Sequence, residues 1–386
     1  MSRISADSHL RTVPNRDSAG SVPSPASGRG ADRVAWVDYA KGWSIILVVA
    51  MHSALGVGFA VGETGWLHTV VAFAKPFRMP DFFLVAGLFA GRTVDGPWRT
   101  FLDRKVVHFF YFYALWLLIA LAVKSGELGL TAPLAFARAY LWGFVEPFSS
   151  MWFIQLLPIL YVATRLLRRL PTAVVLFAAA VAHFGAATAP DGGVYAMGSK
   201  LTGWTTVDSF LLFFIYFYVG HRFAGAIFAY ARMIGERPAL MIVALAAWAI
   251  GEQLAVVVGW PERPGATLVF GLGGALAVIA CAVLLARIGA MRWLAYCGRN
   301  SLVIYLSFFL PMAAARVALV KLGWIADVGA LSLIVAAAAV SGPLLIDRLT
   351  RATPLAFLYA RPAWARLEPP RPSLPPHRLA AALSRA

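Results

Sequence analysis

Long apolar runs separated by short polar connections make up most of the chain. Each run approaches the ~20 residues that a helix needs to cross a bilayer. They lie at 42–62, 69–91, 106–123, 149–168, 172–189, 205–227, 238–259, 264–287, 300–320 and 326–346. The short alternating segments of a membrane β-barrel are not seen. The pattern predicts an all-α fold, a polytopic transmembrane helical bundle of about ten membrane-spanning helices within residues 35–349. Residues 1–34 are Ser-, Pro- and Gly-rich and lack the apolar segment of a signal peptide, so they are expected to form a disordered cytoplasmic N-terminal tail. Residues 350–386, with the stretch EPPRPSLPPHR, are expected to form a Pro-rich cytoplasmic C-terminal tail.

Charge then orients the bundle. One set of connections is basic: Arg92, Arg99, Arg104 and Lys105, then Arg165, Arg168 and Arg169, then Arg232 and Arg237, then Arg287, Arg292 and Arg299, then Arg348 and Arg351. The other set is nearly balanced, with Glu63 and His68, Lys124 and Glu127, Arg138 and Glu146, Asp191 and Lys200, Glu262 and Arg263, and Lys321. The positive-inside rule puts both termini in the cytoplasm of a plasma (inner) membrane protein. Because the net charge of +16 is distributed in this alternating way and not along one face, nucleic acid is excluded as a partner. The composition, 60% hydrophobic and 13% charged, sets the chain apart from soluble domains at ~45–50% and ~25%. Cys281 and Cys297 offer no disulfide framework, and no two histidines fall at ligand spacing on one helix, so neither a metal site nor a bound cofactor is expected.

Against this apolar background a few residues stand out. In DYAKGWSIILVVAMH, His52 arrives ~15 Å into the first span, where hydrocarbon is expected. Lys41 precedes it by eleven residues, which puts both on one face, three turns apart, with Asp38 near the same stripe. A neutral imidazole at that depth suits a general base. The bland alternative is a histidine that bonds a neighbouring helix. Arg78 and Asp81, one turn apart in the second span, either neutralise each other or leave Arg78 to hold an anionic ligand group. Gln155, Glu252, Gln253 and His183 read as packing or interfacial residues at least as readily as site residues.

The stretch RVAWVDYAKGWSIILVVAMH resembles the opening of the acyltransferase-3 family of integral membrane O-acyltransferases, in particular its fucose 4-O-acetylase-like branch. That family carries Arg or Lys, ten residues, then His, which Lys41 and His52 match. FRMPDFFLVAG supplies the Met-Pro-x-Phe-Phe stretch, SMWFIQLLPILY the Trp-Phe at Trp152, and Asn300 to Tyr305 the Asn-Ser-Leu-x-Ile-Tyr block. The chain departs at His108 and Phe112 in the basic entry to the third span, and at Phe308, where the family often has His.

The resemblance implies an acyl-CoA donor, with acetyl-CoA foremost, and a hydroxyl of a sugar, polysaccharide or glycolipid as acceptor, the bilayer being the third partner. His52, Lys41 and Asp38 then form the expected catalytic set. Arg78, Arg104, Lys105, Trp152, Gln155, Asn300, Ser301 and Tyr305 are the expected donor- and substrate-binding residues. The rival expectation is a transporter that uses the same buried His, Lys and Arg as an ion or substrate pathway.

Overall fold

A computed structural model describes residues 34–188 and 201–368. Of the expected tails, 1–34 and 350–386, residues 1–33 and 369–386 lie outside the described residues, as does the connection holding Asp191 and Lys200. The described residues form helices α1 (Ala35–Val61), α2 (Trp66–Ala74), α3 (Arg78–Leu88), α4 (Gly91–Val94), α5 (Trp98–Phe101), α6 (His108–Lys124), α7 (Pro133–Trp142), α8 (Trp152–Leu167) and α9 (Thr172–Ala187). They continue with α10 (Thr205–Arg222), α11 (Ala224–Glu236), α12 (Pro238–Val258), α13 (Ala266–Ile288), α14 (Arg292–Arg299), α15 (Ser301–Ser307), α16 (Phe309–Leu322) and α17 (Val328–Thr350). A π-helical turn, Leu102–Val107, joins α5 to α6 without a break.

Six described helical segments are long and apolar enough to cross a membrane, or up to eight if the bent pairs α10–α11 (73°) and α15–α16 (56°) each count as one. The expected span 69–91 is two helices, α2 and α3, interrupted at Lys75–Phe77. Proline accounts for the interruption. Pro76 has no N–H with which to carry α2 past Lys75, and Pro80 sits in the first turn of α3, where its missing N–H breaks no helical bond. The expected span 172–189 is the 16-residue α9.

The first helix is the hub. It packs against α14, α17, α13, α2 and α3. Two glycine seams bring backbones into direct contact. A Cβ at Gly42 would strike the Leu294 carbonyl, and one at Gly298 would strike the Asp38 carbonyl, so α1 and α14 interlock. Likewise Gly87 of α3 faces the Phe217 carbonyl and Gly220 of α10 faces the Leu84 carbonyl. Small residues permit this approach, and the close packing it allows is what holds helices together in lipid.

Residues 351–368, grouped with the tail on sequence grounds, run back over the bundle as a strap. Trp116 Nε1 donates to the Leu358 carbonyl (3.0 Å), Tyr111 to the Phe357 carbonyl (3.0 Å), and Tyr359 to Ser307 Oγ (2.7 Å). Arg361 donates to the backbone carbonyl and to Oδ2 of Asp103, each at 2.8 Å, and the Leu367 N–H donates to Asp103 Oδ1 at 2.7 Å. Both side chains of that ion pair are 8% exposed.

Candidate functional site

A cavity of about 230 Å³ opens between α1, α3, the π-helical turn, α6, α8 and α15. Lys41 and Ser44 of α1, Lys105, and Ser301 and Tyr305 of α15 supply its polar atoms, together with Tyr161 of α8. Phe82, Phe89, Phe109 and Phe153 form much of the apolar wall.

Both lysines are held over aromatic faces. Lys41 Nζ lies 5.6 Å from the Phe89 ring centroid. Lys105 Nζ lies 4.3 Å from that of Tyr161 and donates to its hydroxyl at 3.1 Å. The Tyr161 hydroxyl in turn donates to the Ala86 carbonyl (3.2 Å), so this chain of donors is fixed at both ends. The wider π-helical turn carries Lys105, a local irregularity often found at functional sites. Two cations at the edge of one aromatic-walled cavity suit a ligand with an anionic head and an apolar body.

The remaining expected site residues lie around this cavity in different ways. His52 is not among its lining residues. It sits three turns along α1 from Lys41, ~16 Å by helical rise. Its ring meets Phe308, centroids 5.2 Å apart, and Arg78 is among the charges that face it. Arg78 is buried at the start of α3. Asp38 is buried on the first turn of α1, at the seam with α14. Arg104 is exposed beside the buried Asp103.

Trp152 stands behind the cavity wall, stacked on Phe213 (5.6 Å). Gln155 has both ends of its amide engaged, donating to the Phe144 carbonyl (2.8 Å) and accepting from Thr206 (2.9 Å). Asn300 donates to the Tyr296 carbonyl (2.8 Å) at the end of α14, and Tyr305 donates to the Ser150 carbonyl. The structure thus brings Lys41, Lys105, Ser301 and Tyr305 together and leaves Arg104, Gln155 and Asn300 off the cavity wall.

Sequence reasoning missed Tyr161, Phe89 and Ser44. Ser44 hydrogen-bonds Asp81 across the α1–α3 interface. The basic stretch at 104–105 was one signal for a partner to Lys105, but nothing in the sequence marks Tyr161. His183 is a packed residue, its two ring nitrogens each 2.8 Å from the Leu212 carbonyl and Thr267 Oγ1.

Comparison with known proteins adds the following. Residues 34–347 match the model of the acyltransferase-3 family, described as an acyltransferase domain. The chain is also similar to inner membrane protein YcfT of Escherichia coli (strain K12), 26% identical over 159 residues, which is 35% of this chain and 44% of that protein. The match therefore spans less than half of the relative's length. No solved structure matches.

Proposed function

Since the chain belongs to the acyltransferase-3 family, whose domain covers residues 34–347, and is a multi-pass membrane protein, we propose that it moves an acyl group from acyl-CoA to a hydroxyl of a sugar or glycan. Acetyl-CoA is the donor we put first. The observation that carries this reading is the aromatic-walled cavity edged by Lys105 and by Lys41, the latter on the same helix as His52. Lys41 and Lys105 bind the phosphates of the donor, and the exposed Arg104, next to Lys105 in the chain, draws it in. The long thin arm of the donor spans the three helical turns from Lys41 towards His52.

At His52 the neutral imidazole takes the hydroxyl proton while the oxygen attacks the thioester carbonyl. The developing oxyanion needs a donor, and that role falls to Arg78, the buried cation whose charge acts on His52. Collapse of the tetrahedral adduct breaks the C–S bond and releases the ester and the thiol. Both termini are cytoplasmic in this reading, because the arginine-rich connections all fall on one side. Ten crossings follow if α2–α3 and α9 also span, beside the segments long enough to do so. The base then lies where a cytosolic donor and an acceptor from the opposite side can meet.

The test is thioester turnover by the purified protein with acetyl-CoA and a panel of free sugars and lipid-linked glycans, wild type beside His52→Ala. Turnover lost in a variant that keeps its fold supports His52 as base, and equal turnover in both removes it. The rival transporter reading predicts solute flux into sealed vesicles without thioester consumption.

A further inference from the structure

Beyond His52, α1 carries a stripe of uncovered surface that the mechanism above does not use. Leu55, Gly56 and Phe59 continue the face that holds His52, since residues three, four and seven positions on share one side of a helix. Leu55 is 53% exposed and Phe59 92%, while the neighbouring Ser53, Ala54 and Val57 are buried. The stripe therefore forms a lane from the base towards the end of α1 at Val61. One charge stands beside it. Arg316 of α16 donates from its guanidinium to the Gly56 carbonyl (3.4 Å), one turn beyond His52.

Arg316 is not turned towards lipid. On α16, Ala314, Val317, Ala318, Lys321 and Leu322 are exposed, whereas Met312, Leu319 and Val320 pack on the cluster of Val57, Val328, Leu331 and Val335. Arg316, four positions after Met312 and four before Val320, belongs to the packed face. A helical side chain also leans towards the N-terminus of its own helix, here back towards Phe308, whose ring meets His52. Among the described residues no carboxylate pairs with Arg316, and it is only partly buried. A guanidinium has five N–H donors, and one carbonyl leaves most of them for a ligand. A cation at this depth without an acid beside it marks a substrate path.

We propose that the lane is the acceptor's site, and that Arg316 selects acceptors with an anionic group, a carboxylate or a phosphate, on the sugar that carries the reacting hydroxyl. This rests on the acyl-transfer reading and narrows its substrate class. The spacing puts both groups on one sugar: Gly56 lies ~6 Å beyond His52 by helical rise, about the breadth of a single ring. The planar fork of arginine fits either oxyanion with paired hydrogen bonds. Leu55 and Phe59 give the C–H edges of the ring an apolar surface.

The field of Arg316 can be read without any acyl transfer. Leu55→Cys, in the full chain in lipid nanodiscs, is treated with an anionic (sulfonatoethyl) or a cationic (trimethylammonium-ethyl) methanethiosulfonate. Reaction at the native Cys281 and Cys297 is subtracted with the parent chain. The anionic-to-cationic rate ratio is expected to exceed that of a free thiol by about tenfold or more, to persist in Arg316→Lys and to fall at least about fivefold in Arg316→Gln. A thiol that neither reagent reaches overturns the lane. A ratio that Arg316→Gln leaves within twofold overturns the anion site. Turnover with acetyl-CoA then separates the sources of the anion. Methyl glucuronide or glucose 1-phosphate is expected to exceed methyl glucoside about tenfold in kcat/KM, the better of the two naming the anion, and the three should converge in Arg316→Gln. A wild type that takes methyl glucoside as well as both acidic sugars overturns the selection. A wild type silent towards all three counts against the acyl-transfer reading, while the reagent ratio still decides on Arg316.

Discussion

Arg361→Ala removes two of the three hydrogen bonds that hold Asp103, those to its backbone carbonyl and to Oδ2, and leaves the bond from the Leu367 N–H. Both partners are 8% exposed, so the variant strands a buried carboxylate that water cannot fully solvate. Breaking such a pair from one side costs ~3–5 kcal/mol. At ~1.4 kcal/mol per tenfold, the 361–368 part of the strap opens on the order of 10²–10⁴ times more often. The upstream contacts of Phe357, Leu358 and Tyr359 do not involve Arg361, so the opening stays local. Trypsin at low concentration reads this population, because cleavage then tracks the equilibrium between closed and open forms. Cleavage after Arg366 is expected to accelerate by that factor, with cleavage elsewhere unchanged. Asp103→Asn combined with Arg361→Ala should lose less than the sum of the single losses, because the stranded charge is gone. A single variant cleaved within threefold of wild type would show that the pair does not hold the strap.

Three further outcomes follow from particular residues. Lys105→Met should raise the donor KM about tenfold with kcat kept, from the ~1.5 kcal/mol of a hydrogen bond to a charged group; an unchanged KM would separate Lys105 from donor binding. Gly298→Ala forces a methyl into the Asp38 carbonyl and should cost ~1–3 kcal/mol in detergent unfolding, whereas Gly251→Ala, with open space around its Cβ, should be neutral or stabilising. Glu252→Met should stabilise the fold by up to ~1–3 kcal/mol, since it removes a buried Oε1 that has no hydrogen-bond partner; a loss of stability in thermal unfolding would mean that the carboxyl is in use.

Much of the all-helical class could be read from the chain because hydropathy is a sum over ~20 residues and survives local irregularity. The breaks were harder. Pro76 and Pro80 announce one interruption, and Pro311, with no N–H for the Ser307 carbonyl, announces another, yet a proline marks a break without giving its angle, 56° between α15 and α16. Of the cavity, Lys41 was legible as a charge on an apolar span; His52 shares its face of α1 by helical periodicity but is not among the lining residues. Ser44 and Asp81 were visible as residues, but their pairing depends on how α3 is rotated against α1, which periodicity within one helix does not encode. Tyr161 was hidden for the same reason: its value comes from Lys105, 56 positions away and displaced by a π-helical turn. The strap from 351 to 368 was read by its proline-rich continuation, whereas Arg361 and Asp103 bind it by a contact spanning 258 positions.

The two glycine seams limit how this protein can move. Where carbonyls sit against glycines, a sliding or rocking helix must first separate two backbones. The pairs α1–α14 and α3–α10 therefore behave as solid beams. Traffic into the cavity is left to the side chains at its wall. Phe89 and Phe109 can turn on their own bonds while the frame stays still, so admission works by swinging doors in a fixed wall and not by moving the wall.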